Sequence, residues 1–106
     1  MDKSTIRNSF IEYLKANYNY ARPEIMASNV FYAFNNPIGM DFWSIFESEA
    51  NLLKGKYLLE MKFIEVNRKN PRGHASVHYG CWIKFKEFLD QRYNGVSKLR
   101  DDNMLF

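Results

Sequence analysis

A chain of 106 residues, 46% hydrophobic and 17% aromatic, can bury one sizeable core without help from metal or disulfides. Its lone cysteine, Cys81, excludes an internal bridge, and no apolar run approaches the roughly 18 residues a membrane span needs. The net charge is only +3, and Met1-Asp2-Lys3-Ser4-Thr5 lacks the charged-then-apolar order of a secretory leader, so a soluble, cytoplasmic protein is expected.

Ser4 or Thr5 is placed to cap a first helix over Ile6 to Asn17, in which Ile6, Phe10, Tyr13 and Leu14 share one face. Arg22-Pro23-Glu24 reads as a second start, because proline fits the first helical turn and glutamate suits the positive end of the dipole. That helix, Pro23 to Phe34, is apolar nearly all round and is expected to be central. A loop over Asn35 to Gly39 follows, then Asp41 caps a short helix carrying Phe42, Trp43, Ile45 and Phe46. From Ser48 a long helical pattern runs to about Lys69. It bears two apolar stripes, Leu52, Leu59, Phe63 and Val66 on one side and Leu53, Tyr57, Met61 and Ile64 on the other. Two stripes predict two packing neighbours, and Gly55 between them predicts a weak point or kink.

Asn70-Pro71-Arg72-Gly73 is a turn by composition, and the last helix is expected from His74 to Tyr93, with Val77, Cys81, Trp82, Phe85, Phe88 and Leu89 on one broad face. Asn94-Gly95 stops it. No segment alternates as a strand does. The expected fold is all-α, a single compact bundle of four to five helices over residues 1–95, with residues 96–106 as a flexible C-terminal tail or linker.

Charge is distributed unevenly. From Val66 to Lys86 the chain carries Arg68, Lys69, Arg72, Lys84 and Lys86, both histidines and no carboxylate, so the remainder of the molecule is net acidic. A local cationic surface on a nearly neutral domain suits an anionic partner, through phosphate contacts that give affinity and salt dependence without sequence reading. Its premise is that these side chains share one outward side free of neutralising carboxylates. His74 and His78 stand at the i, i+4 spacing of zinc ligands, but third and fourth ligands are missing, and Cys81 falls on the packing face. His78 is expected to be a packing residue, His74 exposed and Cys81 unreactive. No metal, cofactor or catalytic residue is assigned, and the chain is not expected to be an enzyme.

The last helix, Ser76-Val77-His78-Tyr79-Gly80-Cys81-Trp82-Ile83-Lys84-Phe85-Lys86-Glu87-Phe88-Leu89, and the Phe10-Ile11-Glu12-Tyr13-Leu14 segment resemble helices of the SAM-like N-terminal core-binding domain of tyrosine recombinases and phage integrases. Related helical modules occur in restriction-type proteins. The resemblance implies a DNA-clamping accessory domain without catalysis. The loop before Asp41-Phe42-Trp43 departs from the pattern, and no contact residue is carried over by it.

Two functions follow. One is nucleic-acid binding, with DNA the expected partner, through Arg68, Lys69, Arg72, His74, Lys84 and Lys86. The other is protein interaction or self-association through aromatics surplus to the core, for which Tyr18, Tyr20, Phe42, Trp43 and Phe46 are the candidates.

Overall fold

A computed structural model describes residues 2–101, and among these every regular element is helical. Helix α1 spans Lys3–Asn17, α2 Pro23–Asn35, a 3-10 turn η1 Trp43–Phe46, α3 Glu49–Glu65, α4 Pro71–Tyr93 and α5 Val96–Asp101. The all-α bundle is as expected; several boundaries and the tail are not.

Asp2, rather than Ser4 or Thr5, caps α1: its carboxylate accepts the Thr5 N–H at 2.8 Å. Helix α3 begins at the Ser48 cap and ends where Asn67 takes a left-handed conformation and the Arg68 N–H closes back onto the Phe63 carbonyl at 2.8 Å. Helix α4 starts three residues before expectation. Asn70 caps it by accepting the Gly73 N–H, and Pro71 sits in its first turn, the same role Pro23 plays in α2.

The central helix is α4, not α2: it packs against every other element, whereas Ile25 of α2 stays exposed. Phe85 is the hub of the core. Its ring lies 4.9 Å from Phe46, 5.0 Å from Phe10 and 5.3 Å from Phe31, mostly edge to face. Each such pair adds about 0.5–1.5 kcal/mol beyond the area it hides. Phe42, just before η1, and Trp43 and Phe46 within it close this core, so three of the five aromatics expected to be surplus are buried. Among them only Tyr20 is exposed, and Tyr18 is half-buried. The Trp82 indole N–H, fully enclosed, donates to the Val30 carbonyl at 3.2 Å.

Two further expectations change. Gly55 does not break α3; it lets the helix approach α4 and η1, where a Cβ would stand 3.1 Å from Trp82 and 3.3 Å from Ile45. Residues 96–101 are not a frayed tail. Val96 and Leu99 are buried, and Arg100 forms ion pairs with Asp41 and with Glu47, the latter at 2.8 Å, tying α5 to the far side of η1. The rest of the expected tail, residues 102–106, lies outside the described residues.

Candidate interaction surface

Two features of the molecule are candidates for a site: the cations around the α3–α4 turn and the apolar surface the core leaves uncovered. Arg68 lies against rings rather than reaching outward, with its guanidinium 4.2 Å from the Phe63 centroid and 5.3 Å from that of Tyr32. Arg72 reaches Glu60 of α3 at 3.7 Å, and Lys86 bonds Asp90 one turn on at 2.7 Å. Lys84 stands 4.2 Å over the Tyr18 ring. A bond to the Tyr18 hydroxyl, then the charge of Glu87, hold its ammonium above the usual lysine range. Lys69 and His74 are exposed, His74 with its ring edge-on to Phe63.

These six do not make one continuous face. Lys84 and Lys86 are two residues apart on a helix, which turns them about 200° from each other. Lys84 accordingly points to the end of α1, and Lys86 to a groove bordered by α3. Arg68 and His74 line a separate depression with Asn29 of α2. What the turn does gather is Arg68, Lys69, Arg72 and His74 near the start of α4.

Beside Lys84, Glu87 accepts bonds from the Tyr13 hydroxyl at 2.6 Å and the Tyr18 hydroxyl at 2.5 Å. These donors hold the carboxyl below its usual range, while burial and the adjacent carboxylate push the Tyr13 phenol up. The cluster joins the end of α1 to the middle of α4. It is a fully satisfied lock with no reacting group left over.

His78 is buried, as expected, and its Nδ1–H donates to the Asn29 carbonyl at 2.9 Å. Burial pushes its pKa down to about 4, with smaller contributions from Arg68 and His74, so the ring is neutral at pH 7. Cys81 is also buried, which pushes its thiol up despite the Asn29 side-chain amide nearby at 3.8 Å. Among the described residues, no group of three or more His, Cys, Asp or Glu side chains converges as a metal site would require. No buried side-chain nitrogen or oxygen among them lacks a partner.

The uncovered apolar surface lies where the sequence placed a packing stripe. Leu53 is 56% exposed, Tyr57 63%, Met61 45% and Ile64 49%. They fall within about 80° of arc on one side of α3. The opposite side, with Leu52, Gly55, Leu59 and Phe63, carries all of that helix's buried residues. Among the described residues the second stripe therefore has no packing neighbour. Its border continues into a groove of about 520 Å³ between α3 and α4, lined by Leu52, Leu53, Tyr79, Ile83, Lys86 and Glu87 among others.

Charge brackets the exposed stripe, with Lys54 and Glu65 along one shoulder and Glu49 and Glu60 along the other, but Lys56 and Lys62 border the buried stripe as well, so the sequence does not distinguish the two. No family model matches the chain, and neither a curated protein nor a solved structure is significantly similar to it.

Proposed function

We propose that this chain is a non-catalytic helical module whose work is to dock a protein on the exposed face of α3. The observation that carries this is the row Leu53, Tyr57, Met61 and Ile64, each about half exposed and contiguous along the helix. Scattered apolar residues on a surface need no explanation, but a contiguous apolar ridge with charged borders is the ordinary anatomy of a protein contact. The residues differ from those the sequence nominated: Phe42, Trp43 and Phe46 serve the core, and the exposed apolar row that supports the reading lies on α3.

A photoreactive phenylalanine analogue at position 57 tests the reading in cells that express the chain. A discrete covalent protein adduct is expected there, and none from the same analogue at exposed Lys15 on α1. Equal, diffuse labelling at both positions would overturn it.

The nucleic-acid reading, and with it a recombinase-like clamping role, draws its support from Arg68, Lys69, Arg72 and His74 around one turn. It is the lesser of the two, because Arg68 is spent on ring stacking, Lys86 on Asp90, and Lys84 and Lys86 point to opposite flanks of α4. Titration with generic duplex DNA across salt concentrations is its measurement. Binding that falls steeply with salt, with a flatter slope in an R68A/K69A/R72A variant, would restore it.

A further inference from the structure

We infer that the partner of the α3 face is a second copy of this chain, laid antiparallel about a two-fold axis; this rests on the docking reading above. Charge is distributed along the stripe in a self-complementary way. Successive residues are about 100° apart, so Tyr57 and Ile64 lie between Leu53 and Met61, with Lys54 and Glu65 together on the shoulder beside Met61. A two-fold contact is self-complementary: whatever one residue meets, the reciprocal contact repeats. In an antiparallel pair of helices, like shoulders face each other. The register that sets Tyr57 opposite Met61 of the second copy also sets Leu53 opposite Ile64. On the shoulder it brings Lys54 within reach of Glu65, and by symmetry Glu65 within reach of Lys54.

In a parallel pair opposite shoulders meet, which places Glu60 beside the second copy's Glu65 and Glu49 beside its Lys54, so that repulsion cancels attraction. Like charges across a contact are a strong determinant of orientation. The two groups in the favourable pairing are available for it. Among the described residues Lys54 is exposed and makes no ion pair or ring contact, and Glu65 has only a long 3.9 Å approach to Lys62. In the antiparallel register Glu60 lies close to its own symmetry mate, a single like-charge contact that Arg72 of the same chain, 3.7 Å from Glu60, partly offsets.

The size of the contact is consistent with a dimer of modest strength. Half-exposed side chains of this size each offer on the order of 100 Å². Four from each copy, with the charged shoulders, approach the lower end of stable interfaces, about 1,200 Å² in total. Contacts of that size with polar rims correspond to dissociation constants of roughly 1–100 µM.

Sedimentation velocity from 1 to 300 µM reads the proposal directly. The wild type should rise from the 12.7 kDa monomer toward twice that mass. K54E and E65K should each weaken association roughly tenfold, since each reverses two symmetric pairs, and the K54E/E65K double variant should return to within about threefold of wild type. Far-ultraviolet circular dichroism identifies any variant that fails to fold, and for such a variant K54Q and E65Q take its place, each expected to weaken association about threefold. A wild type that stays monomeric to 300 µM would overturn the second copy as occupant. The docking reading would survive that result if the adduct at position 57 had a mass other than that of two copies, and would fall with it if no adduct formed. A dimer whose charge-swapped double variant is as weak as the single ones would overturn the antiparallel arrangement.

Discussion

Two glycines in this bundle have opposite surroundings, and the same substitution at each should change stability in opposite directions. In a helix interior, Gly→Ala gains about 1 kcal/mol by removing backbone freedom from the unfolded chain. Gly80 lies mid-α4 on the outer face, and an added Cβ there meets nothing within 4 Å. Gly80→Ala should therefore stabilise by about 1 kcal/mol. At Gly55 the same methyl would stand 3.1 Å from Trp82 Cζ3, 3.3 Å from Ile45 Cγ2 and 3.4 Å from Ile45 Cγ1. Both neighbours are fully enclosed, with Trp82 further held by its bond to Val30, so neither can retreat into solvent. Overpacking of this kind costs about 1–3 kcal/mol, which outweighs the helical gain and leaves Gly55→Ala destabilised by about 1 kcal/mol. Urea unfolding of the wild type and both variants measures the difference through the midpoint at unchanged slope. In a domain of this size each kcal/mol is also about 4–8 °C in Tm. If Gly55→Ala stabilised as much as Gly80→Ala, the close approach of α3 to α4 and η1 would be refuted.

Acid should weaken the fold through His78. Its folded pKa of about 4 lies below the ordinary 6.5, so the neutral ring contributes fully above pH 6.5, and the contribution is lost as pH falls toward 4, by up to about 3 kcal/mol. Urea unfolding at pH 7, 5.5 and 4.5 should show this slope in the wild type and lose most of it in His78→Asn; a flat wild-type profile would contradict the burial. Leu99→Ala should cost the whole domain about 2–4 kcal/mol, because Leu99 is enclosed between α5 and the core. A loss below 0.5 kcal/mol in global unfolding would mean that α5 opens separately from the bundle.

Fold class was legible because it rests on features that local chemistry controls. Proline in the first turn of α2, the start of α3 at Ser48, and apolar residues recurring every three or four positions all read correctly. The start of α4 was misread because Asn70-Pro71-Arg72-Gly73 suits a turn and a capped helix equally, and only tertiary packing selects between them. The tail was misread for a related reason. Val96 and Leu99 are too few to generate a period, and the ion pairs of Arg100 reach back across the chain to Asp41 and Glu47. The site was the least legible. Amphipathicity shows that a helix has an apolar side, not what covers it, so Leu53 and Leu52 look alike in sequence although one is exposed and the other enclosed. Clustering along the chain likewise does not establish clustering in space, as Lys84 and Lys86 on opposite flanks of one helix demonstrate.

The position of α4 at the middle of the bundle has a consequence for how the molecule is made. Helices α1, α2 and α3 all precede it, yet each buries its apolar side against it. A ribosome adding about 5–20 residues each second thus exposes three amphipathic segments for several seconds before Phe85 is available to organise them. Nascent chains should remain sensitive to protease until α4 and Leu99 have cleared the exit tunnel, then become resistant in a single step.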